Sequence, residues 1–117
     1  MTFTIAILGT ASPAASDVFF DFMDEWIENN ILPTQLLIPE KRTGVPALAA
    51  EWADLMNIPI GTFNSTKRDD ADAALRTANQ VVVLKLENKT DIWVRRLMQF
   101  ATNHSIPVST YELVGAD

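Results

Sequence analysis

Cysteine is absent from the 117 residues. That excludes a disulfide framework, a thiolate nucleophile and cysteine-ligated zinc or iron–sulfur centres, and it fits a reducing compartment. Glycine is scarce, with four residues in all. No Walker sequence and no G-x-G-x-x-G loop occurs, so the familiar glycine-rich phosphate cradles are missing. The G-x-S-x-G elbow and the H-E-x-x-H zinc pair are missing too, and His104 is the single histidine. Nine Lys and Arg face fifteen Asp and Glu, for a net charge of −6. Such a surface repels phosphate backbones, so nucleic acid is not an expected partner. No apolar run approaches the ~18–20 residues that span a bilayer. The opening Met1-Thr2-Phe3-Thr4-Ile5 lacks the basic and apolar regions of a signal peptide. The expectation is a soluble cytoplasmic protein with no membrane partner.

What is present is a regular alternation. The hydrophobic fraction of 48% supports a core without covalent staples, and the length fits one domain over residues 1–117. Phe3 to Leu8 reads as a buried strand ending at Gly9. A helix capped by Ser16 or Asp17 runs to about Asn29, with Phe19, Phe22, Met23, Trp26 and Ile27 in one stripe and acids opposite. Gln35 to Ile38 is the second strand. Gly44 to Met56 is the second helix, with Val45, Leu48, Ala49, Trp52, Leu55 and Met56 in a stripe and Pro46 in the first turn. Pro59 to Phe63 is the third strand. A short helix from Asp70 to Asn79 carries a narrow stripe of Ala71, Ala74, Leu75 and Ala78. Val81 to Leu86 is the fourth strand. Ile92 to Asn103 is the fourth helix, with Trp93, Val94, Leu97, Phe100 and Ala101 inward. Pro107 to Leu113 is the fifth strand.

Strict βαβαβαβαβ alternation predicts an α/β, Rossmann-like three-layer sandwich. Its five-stranded parallel sheet is expected in the order 3-2-1-4-5, with helices on both faces. Two helix-to-strand joints look alike, Asn57-Ile58-Pro59-Ile60 and Ser105-Ile106-Pro107-Val108, and read as one local solution used twice.

In such sheets ligands bind at the carboxyl ends of the strands. Six of the nine cations fall in the loops expected there: Lys41, Arg42, Lys67, Arg68, Lys85 and Lys89. Helix N-termini at the same edge add partial positive charge and free N–H groups. Thr10, Ser12, Thr43, Ser65, Thr66 and Thr90 add hydroxyls. An acidic chain with its cations at this edge points to an anionic small ligand. Against that stand Glu40, Asp69, Asp70 and Glu87, which sit nearby and offset the field, leaving a merely solvated edge as the other reading.

The stretch Gly44-Val45-Pro46-Ala47-Leu48-Ala49-Ala50-Glu51-Trp52-Ala53, followed by Ile58-Pro59-Ile60, resembles the small YspA-like group of the SLOG superfamily. The resemblance covers nearly the whole chain in element order and Leu48 to Ile60 at residue level. It implies a Rossmann-like fold and a nucleotide or nucleotide-derived ligand. The chain departs from that pattern at its phosphate motifs. Gly9-Thr10-Ala11 keeps the glycine and hydroxyl of a Gly-Ser-Arg-type turn and loses the arginine. Glu40-Lys41-Arg42-Thr43-Gly44-Val45-Pro46 keeps only the last glycine of Gly-Gly-Ala-x-Gly-Ala-Asp. The expected Arg-Asn pair before the third helix is missing, although Arg68 is close by. Lys89-Thr90 is a distant match to the expected Gly-Thr.

Two functional readings follow. The first is a domain binding a phosphate-bearing, nucleotide-like small molecule through Gly9, Thr10, Lys41, Arg42, Thr43, Gly44, Arg68 and Thr90. Glycines would permit close approach, cations neutralise phosphate and hydroxyls orient it. No general base is evident, so a non-catalytic domain is favoured over an enzyme. The second is a degenerate domain acting through protein contacts, as a homo-oligomer such as a dimer or as an accessory or inhibitory factor. His104 reads as a helix C-terminal cation. Asp69, Asp70 and Asp72 read as caps of the third helix, with a hard cation as the alternative. Trp26, Trp52 and Trp93 read as core, with a subunit interface as the alternative. Phe19 and Phe20 are adjacent and cannot both face the sheet.

Overall fold

A continuous apolar run along a strand places apolar side chains on both faces of a sheet, and a sheet buried on both sides needs helices on both. The computed structural model describes residues 2–9, 16–40, 44–86 and 91–113 and has this architecture. In chain order the elements are β1 (Thr4–Gly9), α1 (Ser16–Glu28), β2 (Gln35–Pro39), α2 (Gly44–Leu55) and β3 (Ile60–Phe63). Then come α3 (Arg68–Leu75), β4 (Gln80–Leu86), α4 (Ile92–Asn103) and β5 (Val108–Leu113). The five strands form one sheet in the order β3-β2-β1-β4-β5, and every pairing is parallel. The fold is the expected α/β Rossmann-like sandwich.

The strands split their side chains between two cores. Ile5, Ile7, Leu36, Ile38, Val82 and Leu84 pack against Phe19, Met23 and Trp26 of α1 and Val45, Ala49, Trp52 and Ala53 of α2. Ala6, Leu8, Leu37, Phe63, Val81 and Val83 pack against Ala71 and Leu75 of α3 and Val94, Leu97 and Ala101 of α4. The helices therefore cover opposite faces in pairs, as right-handed crossovers require when the chain runs outward from β1 and then from β4.

β1 is central, and its start is pinned on both sides. The Thr34 N–H donates to Phe3 O at 2.8 Å, and Thr34 Oγ1 accepts from the Phe3 N–H at 2.9 Å. The Asn79 N–H donates to Thr4 O at 2.7 Å, and Asn79 Oδ1 accepts from the Thr4 N–H at 2.8 Å. Each neighbouring strand thus enters the sheet through a residue that closes a reciprocal pair with β1.

The two similar joints are the same structure. Asn57 and Ser105 both adopt φ of 58°. The Ile58 N–H donates to Ala53 O at 2.8 Å and the Ile106 N–H to Ala101 O at 2.9 Å. The Asn57 and Ser105 N–H groups reach Asp54 O and Thr102 O, both at 3.2 Å. These are two Schellman ends, each followed by an isoleucine that turns inward over the last helical turn and a proline that cannot continue the helix. Several boundaries differ from expectation. α3 starts two residues earlier than Asp70 and ends at Leu75, because Thr77 Oγ1 donates to Ala74 O at 2.7 Å and Asn79 is taken up by β1. β5 begins at Val108, one residue after the proline. Leu55, expected in the α2 stripe, is 69% exposed, and Ala53 takes the buried place, because the stripe centres on Val45, Ala49 and Trp52.

Candidate functional site

The chain leaves β1 toward β2 and leaves β4 toward β5, so the switch in strand order lies between β1 and β4. Gly9 ends β1 at that point and is buried. A Cβ at Gly9 would lie 2.6 Å from Val45 Cβ and 2.8 Å from Leu84 O. The space a side chain would need is taken by the first turn of α2. Gly44 opens that turn at φ 70°, a left-handed conformation that glycine adopts without steric cost. The two glycines thus work together. One bends the chain into α2, and the other lets α2 seat its first turn against the end of β1. The close approach they permit is between parts of the protein.

Beside this contact lies a cleft of 530 Å³, lined by Ile38, Pro39 and Glu40 from the end of β2, Pro46 and Ala50 from α2, and Ile60 and Thr62 from β3. Its wall is part apolar and part polar, and Glu40 is the charged member. It exists because β3 is the edge strand and no helix follows α2 outward over it, which leaves Ile60 44% exposed. Glu40 and Pro46 flank the segment Lys41-Arg42-Thr43-Gly44 in the chain. Thr10, Lys41, Arg42, Thr43, Lys89 and Thr90 themselves lie outside the described residues.

The structure separates Arg68 from this cleft. Arg68 lines a different groove of 240 Å³ between α3 and α4, with Asp72, Arg96, Gln99, Phe100 and Asn103. Lys67 is exposed at the start of α3. Lys85 sits opposite Glu112 in the β4–β5 register, so an acid accompanies it. Ser65 is buried. Thr66 Oγ1 donates to Asn64 Oδ1 at 2.6 Å, which commits that hydroxyl within its own loop.

The three aspartates of α3 are dispersed in their roles. Asp70 accepts the Asn64 N–H at 2.7 Å, and Asp72 pairs with Arg96 Nη1 at 3.1 Å. Lys67 stands at the N-cap with no side-chain cap bond, so the expected carboxylate cap is replaced by a tie to the preceding loop. No group of three potential metal ligands occurs among the described residues. His104 follows α4, with Nδ1 2.9 Å from Phe100 O and its ring stacked on Phe100 at 4.1 Å. That places it at the amino edge of the sheet, away from the cleft, where it complements a helix C-terminus. Trp26 and Trp52 are core residues at 4% and 1% exposure, and Phe19 is buried while Phe20 meets it edge-on at 5.7 Å. Trp93 is half-buried and its Nε1 donates to Asp91 Oδ2 at 3.1 Å.

Sequence reading missed the walls of the cleft. The available signal was the pair of prolines, Pro39 and Pro46, bracketing the basic segment. No family model matches the chain, and no curated protein or solved structure matches it. No helix among the described residues is long and apolar enough to cross a membrane.

Proposed function

We propose that the chain is a non-catalytic binding domain for a small phosphate-bearing, nucleotide-like molecule held at the carboxyl edge of β2 and β3. The observation that carries this reading is the 530 Å³ cleft whose lining residues Glu40 and Pro46 stand before and after the Lys41-Arg42-Thr43 segment in the chain. The apolar part of its wall suits a flat, weakly polar group set on Pro39, Pro46 and Ile60. The amino end of α2 and the two cations suit the anionic part. Gly9 and Gly44 support the site from beneath by seating α2. The resemblance to the YspA-like SLOG group points to the same ligand class.

The test is calorimetry on nucleotides, dinucleotides and cyclic nucleotides that raise the melting temperature in a screen. Lys41→Ala with Arg42→Ala is expected to abolish the binding of any phosphate-bearing hit. Unchanged affinity in that double variant overturns the site. No stabilisation by any of these compounds at millimolar concentration overturns the ligand class.

A second reading rests on a different observation. Ile31 is 74% exposed, Leu32 49% and Leu55 69%, and they lie in the segments that lead into the amino ends of β2 and β3. Exposed apolar side chains gathered at one edge suit a subunit contact, and a homodimer in solution is its expected outcome.

A further inference from the structure

We infer that the groove between α3 and α4 is a binding site for a small monocarboxylate, held by Arg96 and Arg68. The groove has a volume of 240 Å³ and lies away from the proposed nucleotide cleft, with which it shares no lining residue. Its charged members are Arg68, Arg96 and Asp72, and its neutral polar members are Gln99 and Asn103. A patch of net positive charge is unusual on a chain of net charge −6. Arg76 is not among the lining residues; its guanidinium carbon lies 5.8 Å from the centre of the Phe100 ring.

Arg96 is the central group. Its Nη1 is 3.1 Å from Asp72 Oδ1, while its Nη2 has no hydrogen-bond partner and is buried. A guanidinium presents two parallel donors that match the two oxygens of a carboxylate. Here a single aspartate oxygen engages one of them, and a buried N–H without an acceptor is a costly arrangement. Arg96 lines the groove, and a rotation of its guanidinium brings the buried Nη2 to an acceptor there. Arg68 stands one helical turn before Asp72 on the same side of α3, which places a second guanidinium along the same groove. With Asp72 already present, the two arginines leave one uncompensated positive charge. That favours a singly charged carboxylate over a dianionic phosphate. Gln99 Nε2 donates to Asn103 Oδ1 at 2.9 Å, which turns the Asn103 amide nitrogen outward as a further donor.

The experiment is a nuclear magnetic resonance titration of the intact protein with acetate, benzoate, sulfate and inorganic phosphate, each at constant ionic strength against chloride. The signals followed are the arginine Nε–H groups and the side-chain amides of Gln99 and Asn103. Acetate or benzoate is expected to give saturable shifts at Arg96, Arg68 and Asn103, with Arg95 unmoved. Arg68→Gln, an exposed change that leaves the Asp72 pair intact, is expected to weaken that binding roughly tenfold or more, and Arg95→Gln to leave it unchanged. Non-saturating shifts spread equally over all arginines overturn the site. So does an Arg68→Gln protein that binds as the parent does. Tighter binding of sulfate or phosphate than of either carboxylate overturns the assignment of ligand class.

Discussion

The two helix layers that cover the sheet are built from different materials. The α1–α2 layer fills its core with Phe19, Met23, Trp26 and Trp52, and the α3–α4 layer with Ala71, Leu75, Val94, Leu97 and Ala101. Their outer surfaces differ as much. α1 and α2 carry Asp17, Asp21, Asp24, Glu25, Glu28, Glu51 and Asp54 and no lysine or arginine. The second layer carries Lys67, Arg68, Arg76, Arg95 and Arg96 against Asp69, Asp70 and Asp72. One layer holds to the sheet by large apolar side chains while its surface charges repel one another. The other packs small side chains closely and balances its charges across the helix pair, as Asp72 and Arg96 show. A charge count for the whole chain averages these opposites away.

The sharpest way to break this contrast is to change side-chain size in each layer. Trp52→Ala removes the largest fully buried side chain of the acidic layer, and urea unfolding is expected to show a loss of about 3–5 kcal/mol. Trp52→Phe is expected to lose far less, because the Nε1 that it deletes is buried without a partner. If Phe and Ala cost the same, that core is not held by packing.

The opposite change tests the other layer. Ala101 is fully buried between α4 and the sheet, and Ala101→Leu is expected to cost about 1–3 kcal/mol through overpacking. A neutral result would mean that α4 has room to move outward and that the layer is not tightly packed.

The two Schellman ends, one in each layer, allow a smaller and matched comparison. Serine is less at ease than asparagine in the left-handed region. Ser105→Gly is therefore expected to stabilise by roughly 1 kcal/mol, and Asn57→Gly by less, in thermal unfolding of both variants. Equal gains would mean that the two ends are strained alike.

The smallest expected effect concerns charge alone. α1 ends on Glu28 with no cation in its last turn, and the side chains of Asn29 and Asn30 reach Glu25 O and Trp26 O instead, at 3.1 and 2.8 Å. Glu28→Lys places a cation at that end and four residues after Asp24. It is expected to add roughly 0.5 kcal/mol at low salt, fading as salt is raised. A gain that persists at high salt would have to come from packing.

Much of this architecture was legible in the amino-acid order, because apolar periodicity is a local property. The alternation of elements implied the parallel sheet, and the repeated Ile-Pro step implied two equivalent helix ends. The inward residues of α1 were also readable, since Phe19, Met23 and Trp26 fall on one stripe. What was not legible depended on partners distant in the chain. Gly9 reads as a backbone open to a ligand, and only the fold brings Val45 against it. Arg68 reads as part of the carboxyl-edge cation group, and only the pairing of α3 with α4 draws it into a groove with Arg96. The cleft beside β3 depends on the lack of a covering helix, and no residue in the strand itself announces that.

The pinning of β1 has a consequence for how the chain is made. Its β2 partner emerges from the ribosome about 30 residues after β1, but Asn79 and β4 follow only after about 75. Until then β1, buried along its whole length in the finished sheet, is an open edge beside β2 and β3. Unpaired apolar edges recruit other chains. A nascent chain halted after Phe63 would therefore expose an apolar edge, and the charge that would oppose its pairing with a like copy is that of α1, which carries five acids and no cation.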